Sequence, residues 1–223
     1  MLAQYAVLCS AGLDSGVLVA HLAQSGDVLP LYISVGLAWE PVEREYLARL
    51  LRTQPFARRV LPARTLQFDM RDIYPPSHWA IRGTPPAYDT PDEDVYLVGR
   101  NVVLLTKAAL SAATLRIPQV AIGPLAGNPF PDATPEFFSA MARAMSLGLA
   151  HSIEILTPFA SLHKDEVIKL GVSLGVDLSL TLSCMNPTKG LHCGQCSKCR
   201  ERRDAFAAAA VPDPTQYATT PPR

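Results

Sequence analysis

Two short groups of residues combine types and spacing that suit chemistry. The first is Cys9-Ser10-Ala11-Gly12-Leu13-Asp14-Ser15, which follows the apolar run Tyr5-Ala6-Val7-Leu8 and leads into Val17-Leu18-Val19-Ala20. A strand, a tight turn and a helix start are expected there. The first N–H groups of a helix have no intrahelical partner and sit at the positive end of its dipole, so an anion placed there meets ready donors. Ser10 and Ser15 add hydroxyl donors, Gly12 lets the backbone come close to a ligand, and Asp14 can cap the helix or face a magnesium ion. The competing reading is a plain small-residue turn. No Gly-Lys-Ser/Thr follows, so this is not a Walker A loop.

The second group is Cys184, Cys193, Cys196 and Cys199, spaced C-x8-C-x2-C-x2-C. The C-x2-C spacing turns two thiolates onto one ion, and four soft thiolates describe a closed, structural zinc site. His192 is an alternative ligand, and an iron–sulfur cluster is the alternative centre. Zinc could supply on the order of 10 kcal/mol of apparent folding free energy to a segment this poor in large apolar residues. The remaining cysteine, Cys9, ends a strand and is expected in the core.

Three single residues join these groups. Arg100 stands at the start of the helical stretch that begins near Val102, either to pair with phosphate or carboxylate or as an ordinary surface arginine. Asp132 is the one acid in the loop 125–134. Lys164 sits in the first turn of a late helix, where acids are preferred; it points at a bound triphosphate or is simply solvated. Lys198, Arg200, Arg202 and Arg203 form a basic run beside the cysteines, read as a substrate- or RNA-facing knuckle or, in preference, as a solvated helix face.

The elements needed to position these residues are those of an α/β domain. Residues 28–35 read as a buried parallel strand, followed by a helix from Pro41 with Glu43 and Glu45 early and Arg49 and Arg52 late, the charge order that suits the dipole. A third strand is expected at Arg59-Val60-Leu61, further strands at 119–122 and 153–157, and a helix capped by Thr134-Pro135 and running to about Leu149. Such βα repeats imply a doubly wound, mostly parallel sheet whose ligand crevice lies beyond the strands' carboxyl ends, bringing 125–134 beside 10–15. The proline-rich stretch 74–94 reads as a flap beside that crevice or as disorder. The division expected is an α/β nucleotide-binding domain over 1–177, a zinc-binding segment and helix over 178–211, and a proline-rich tail over 212–223.

At 223 residues and 48% hydrophobic, the chain can fill one sizeable core. Twenty basic and twenty acidic side chains cancel, so no global field draws in nucleic acid or an anionic membrane, and a tRNA-sized partner is not expected. No leader or membrane span is evident, and a cytoplasmic location is expected. A homodimer is left open.

Residues 10–15 resemble the S-G-G-x-D-S pyrophosphate loop of PP-loop ATPases, with Ala11 in place of the first glycine. That exchange is harmless at negative φ and costly at positive φ. The wider pattern resembles the 7-cyano-7-deazaguanine synthase family, a PP-loop group of the queuosine precursor pathway with the adenine nucleotide alpha hydrolase-like fold. Val98-Gly99-Arg100-Asn101 is similar to its V-P-G/A-R-N, and Pro131-Asp132 with Pro135-Glu136-Phe137 to its P-D-C-R-x-E-F. Lys164-Asp165-Glu166-Val167 is similar to its K-x-E-[IV], and Thr181-Leu182-Ser183-Cys184 with the later cysteines to its zinc motif.

The resemblance implies ATP, Mg²⁺ and Zn²⁺ as cofactors and a purine-like carboxylate and ammonia as substrates. Ser10, Ala11, Gly12, Leu13, Asp14, Ser15, Arg100 and Lys164 would bind nucleotide, Asp14 and Lys164 would act as pyrophosphate leaves, and Asp132 would touch the substrate or handle a proton. The departures fall on the implied substrate wall, where G-Q-R-H becomes Gly36-Leu37-Ala38-Trp39 and D-Y-S-G-Y-P-D-C-R becomes Ala126-Gly127-Asn128-Pro129-Phe130-Pro131-Asp132-Ala133-Thr134. Two alternatives therefore stand beside it: a PP-loop paralogue adenylating another acid, an amide or a tRNA base, and a non-catalytic zinc-containing RNA-binding or interaction module.

Overall fold

Runs of apolar residues too short for helices and bounded by turn residues build the centre of a parallel sheet. A computed structural model describes residues 3–221. In it β1 (Tyr5–Leu8) is buried along its whole length, and β2 (Val28–Ser34) along all but its last residue. β3 (Arg64–Gln67), β4 (Gln119–Ala121) and β5 (Glu154–Leu156) complete a sheet of order β3-β2-β1-β4-β5 in which every pair is parallel. Ala6 lies between Leu29 and Val120 in the register.

The helices are α1 (Leu13–Leu22), α2 (Glu40–Leu50), the single turn α3 (Trp79–Arg82), α4 (Arg100–Thr114), α5 (Pro135–Leu149), α6 (Lys164–Ser173) and α7 (Ser197–Ala209). The chain steps outward from β1 through β2 to β3, returns over the sheet by α4 to β4, then steps on to β5. With right-handed crossovers, that order puts α1 and α2 on one face and α4 and α5 on the other. α1 packs with α6, α6 with α7, and α4 with α5, as a doubly wound sheet requires. Thr134 caps α5, its hydroxyl accepting from Phe137 N at 3.1 Å.

Three expectations are corrected. The third strand is not at residues 59–61, where Val60 makes only a lone bridge to Val28; it follows at Arg64–Gln67, an exposed edge strand with no apolar run to announce it. The stretch 74–94, expected as a flap beside the crevice or as disorder, is not disordered: it is anchored on Trp39, just before α2. Tyr74, His78, Trp79 and Trp39 form a continuous ring stack, with centroids 4.8, 5.5 and 5.9 Å apart, and Ala38 N donates to Ala80 O at 2.9 Å. Nor is the basic run a solvated face. Arg202 is 1% exposed and donates to Leu178 O and Thr181 Oγ1, each at 2.8 Å, while Arg200 donates to Thr90 O at 3.0 Å.

The proline-rich residues after α7 pack on the cysteine segment. His192 N donates to Gln216 O at 3.2 Å and Ala218 N to His192 O at 2.7 Å. Among the described residues no helix is long and apolar enough to cross a membrane.

Candidate active site and cysteine centre

The strand order changes direction between β1 and β4, and the loops leaving their carboxyl ends part to form a cavity. The 10–15 loop is its floor. Ser15 Oγ accepts from Ser10 N at 3.3 Å and donates to Gly12 O at 3.1 Å, and Ser10 Oγ accepts from Gly12 N at 3.4 Å. Among the described residues no side chain caps α1, so its first N–H groups are open to a ligand. Leu13 itself is buried in the core. The position of concern, Ala11, has φ +62°, the left-handed region that favours glycine, and it is fully buried. Its carbonyl accepts from Leu182 N at 2.9 Å, tying the loop to the segment that enters the cysteine cluster.

Asp14 and Lys164 meet. Lys164 Nζ lies 3.3 Å from Asp14 Oδ2 and also pairs with Glu201 of α7, which in turn holds Lys198 at 2.6 Å. The lysine therefore neither stands alone in solvent nor points freely into the cavity. Burial pulls its pKa down, but the Asp14 and Glu201 carboxylates outweigh this and hold it above the ordinary lysine value. Burial likewise raises Asp14 against the pull of Lys164, whereas the two lysines overcome burial at Glu201 and hold it at about 2.

α4 starts after Gly99, itself at φ +75°, and brings Arg100 and Asn101 to the cavity wall. Asp132 sits opposite, accepting from Asn101 N at 3.0 Å and from Asn101 Nδ2 at 3.3 Å. It thus braces the helix start, and its burial pushes its pKa up. Arg100 Nε and Asp14 Oδ1 are buried without a partner among the described residues. Unmatched donors and acceptors in a cavity are what a polar ligand would satisfy.

The sequence reading missed one charged part of the cavity lining. There Glu43 is 7% exposed, and its Oε2 accepts from Tyr32 Oη at 2.9 Å. Burial raises its pKa to about 7, with Arg100 and Tyr32 opposing and Glu40 adding. Glu40 is committed elsewhere, accepting from Val35 N at 2.7 Å and Gly36 N at 3.0 Å. A signal did exist. Glu43 lies in the i, i+3, i+4, i+7 stripe with Tyr46, Leu47 and Leu50, all buried, and an acid on an apolar stripe asks for a reason. Tyr96, also missed, stacks on Phe130 at 5.1 Å on the cavity wall. Trp39 does not line the cavity; it serves the ring stack.

The four cysteines converge. Their Sγ atoms all lie within 4.8 Å of one another and are buried, with separations of 3.9 Å for Cys193–Cys199, 4.0 Å for Cys184–Cys196 and 3.6 Å for Cys196–Cys199. One tetrahedral ion with metal–sulfur bonds of about 2.3 Å needs sulfurs about 3.8 Å apart. The set therefore fits a single ion such as zinc and is too tight for an iron–sulfur cluster. Asn186 N and Cys193 N donate to Cys184 Sγ at 3.3 and 3.2 Å, and Gln195 N to Cys193 Sγ at 3.3 Å, the donors that anionic sulfur requires. His192 does not take the place of a cysteine: the four Sγ atoms converge without it, and its Nε2 accepts from Ser183 N at 3.1 Å. Burial pushes the Cys9 thiol up to about 11, which leaves it inert.

An anion-ready loop at the switch point of a parallel sheet, with a four-cysteine centre behind it, defines a doubly wound α/β protein carrying a metal-competent C-terminal segment. The chain belongs to the family described as queuosine biosynthesis protein QueC, whose model matches residues 4–210. It is 30% identical to the 7-cyano-7-deazaguanine synthase of Methanopyrus kandleri over 237 residues, spanning 95% of this chain and 97% of that one. The enzyme of the same name from Desulfatibacillum aliphaticivorans is 41% identical over 131 residues, a stretch of 55% of this chain and 56% of the relative. Among solved structures, a predicted subunit of tRNA methyltransferase from Methanocaldococcus jannaschii overlays 75% of this chain and 73% of its own at 14% identity and a TM-score of 0.43, too loosely to bear on function.

Proposed function

We propose that the chain converts 7-carboxy-7-deazaguanine and ammonia to 7-cyano-7-deazaguanine, using ATP to activate oxygen twice. The observation that carries this reading is the shared cavity. It joins an uncapped helix start with two serine hydroxyls, an arginine with an unmatched Nε and a buried acid of raised pKa. The relatives' name supplies the product.

In the first half-reaction the substrate carboxylate attacks the α-phosphorus and pyrophosphate leaves; ammonia then displaces AMP to give the amide. In the second, the amide oxygen is activated in the same way, and AMP departs as the nitrile forms. The α1 N–H groups, Ser10, Ser15 and Lys164 stabilise charge on the departing pyrophosphate, with Lys164 turning from Asp14 toward phosphate. Asp14 then has an oxygen free for Mg²⁺, which would supply further charge neutralisation. Arg100 holds a phosphate or the substrate carboxylate by its planar fork, and Asp132 keeps the start of α4 in place beside it. The four cysteines hold Zn²⁺ as a structural ion and fix α7, which carries Glu201 to Lys164.

Mass spectrometry of a reaction with Mg-ATP, ammonium and 7-carboxy-7-deazaguanine tests this. Amide and nitrile with AMP are expected, and Asp14→Ala should abolish them without unfolding the protein. ATP binding with no product would assign the crevice to another acceptor, one that suits the Tyr96–Phe130 wall. A shift on RNA without ATP binding would favour an RNA-binding module.

A further inference from the structure

Four carboxylates line the cavity, and three are engaged by charge or backbone: Asp14 pairs with Lys164, Asp132 accepts from Asn101 N, and Glu40 accepts from Val35 N and Gly36 N, whereas Glu43 has no such partner among the described residues. The α1 N–H groups, the Ser10 and Ser15 hydroxyls and Arg100 all favour phosphate or carboxylate. A carboxylate among them repels the same ligands. Glu43 is more than nine-tenths buried, lines the cavity, and has Tyr32 as its hydrogen-bond partner. Among the described residues no lysine or arginine forms an ion pair with it; Arg100 of α4 is near enough to lower its pKa and no nearer. The other groups facing it are Tyr32 of β2, Glu40 of α2, the Ser10 hydroxyl and the Cys9 thiol that follows β1, which stays neutral. Tyr32 donates to it, and Glu40 is spent on backbone N–H groups. A buried acid kept at such a place has work with a cation or a proton.

The reaction proposed above, on which this inference rests, has one cationic reactant. Near neutral pH most ammonia is ammonium, which has no lone pair and cannot attack carbon until it loses a proton. We infer that Glu43 is a catalytic residue for the nitrogen step: its carboxylate receives ammonium in the cavity and takes one proton from it. The neutral ammonia so released attacks the activated carbonyl carbon. The C–N bond forms, and the bond from carbon to the bridging oxygen breaks with its electron pair going to AMP. A second proton passes from the new nitrogen to the departing phosphate oxygen. Ammonium, glutamate and acyl-adenylate thus give amide, glutamic acid and singly charged AMP, with atoms and charge conserved. Tyr32 orients the carboxylate. A base that titrates at about 7 is half ionised at neutral pH and gives its proton up again readily, as a recycling catalyst must.

The test compares wild type with Glu43→Gln, using ammonium and hydroxylamine as nucleophiles across a pH series. Hydroxylamine is neutral near pH 7 and needs no deprotonation before attack. In the wild type, kcat/KM for total ammonium should rise to about pH 7 and then level until ammonium itself titrates. Glu43→Gln should depend on free ammonia alone, climbing tenfold per pH unit over the same range. At pH 7 its ammonia reaction should fall by about 100-fold while hydroxamate formation stays within several-fold. Tyr32→Phe, which keeps the carboxylate, should lose only a few-fold.

Parallel loss of amide and hydroxamate in Glu43→Gln would overturn the assignment and leave Glu43 a structural role. So would a wild-type profile that climbs without levelling, a result that does not depend on the variant folding. Tyr32→Phe as impaired as Glu43→Gln would move the role to the tyrosine. A wild type inert toward 7-carboxy-7-deazaguanine with either nucleophile, while ATP still binds, would overturn the function itself and this step with it.

Discussion

Glu43 and Arg202 are both charged, both almost fully buried, and both set in the apolar stripe of a helix. Their surroundings differ. Arg202 is bound on all three of its nitrogens, to Thr215, Thr181, Ser183 and Leu178 O, so its charge is spread over oxygens that hold the end of the sheet domain, the cysteine centre and the C-terminal residues together. Glu43 has the hydroxyls of Tyr32 and Ser10 and a cavity. A buried charge that serves the fold is satisfied by the fold, whereas one that serves a reaction is left for the reactants to satisfy. Removing the first should weaken the protein and removing the second should strengthen it.

The largest effect is expected at the cysteine centre to which Arg202 is joined. Cys196→Ser should lose the metal and with it much of the roughly 10 kcal/mol that such a site contributes to its segment. Metal analysis and limited proteolysis should show zinc lost and new cleavage beyond residue 184, with the sheet surviving on its apolar core. Retained zinc and unchanged melting would break the structural assignment. Next comes Arg202→Ala, which leaves several buried acceptors unpaired and should cost about 3 kcal/mol, read as a lower urea midpoint. Arg202→Lys keeps the charge but not the fork, and should recover only part of the loss.

Glu43→Gln should move stability the other way, and only at high pH. The carboxyl titrates near 4.5 in the unfolded chain and at about 7 in the folded one, so between those values the native state holds a proton that the unfolded state has lost. The stability this gives is complete below about pH 4.5 and is lost as pH rises through 7. At pH 8 the wild type carries a buried charge worth about 3 kcal/mol of destabilisation, which the neutral amide lacks. Urea unfolding should therefore show the variant more stable at pH 8 and level with wild type at pH 4.5. The same difference at both pH values would mean that packing, and not charge, separates the two.

Much of this architecture could be read from the sequence because it rests on local patterns. The run Tyr5–Leu8, the small-residue loop and the Thr134-Pro135 start of α5 each carry their own signal, and each stands where it was expected. β3 had none, because an exposed edge strand made of Arg64, Thr65, Leu66 and Gln67 has no core face to pattern. The four cysteines were legible because ligand spacing is a local constraint. Glu43 and Arg202 were not, for a shared reason. Each has a local explanation, a dipole-favoured acid in one case and a basic run in the other, that hid its place on a buried stripe. The partner of Lys164 was hidden differently, since only the folded chain brings Glu201 to it across 37 positions.

The smallest predicted effect tests whether the crevice also stores strain in its backbone. Ala11 at φ +62° holds a conformation that costs a non-glycine residue about 1–2 kcal/mol. Ala11→Gly removes that cost but also a fully buried methyl worth about 0.8 kcal/mol, and it gives the unfolded chain more freedom to lose. The terms nearly cancel, so a net gain of no more than about 0.5 kcal/mol is expected, read as a small rise in melting temperature with unchanged zinc content. ATP affinity is the sharper readout, because the strained residue adjoins the N–H groups proposed to hold phosphate. If glycine loosens those groups, affinity falls although stability does not, and Ala11 then acts to stiffen the loop for its ligand. A stability loss above about 1 kcal/mol would instead show that the methyl's packing outweighs the strain, and would set this loop with Arg202 among the parts of the molecule that the fold fully satisfies.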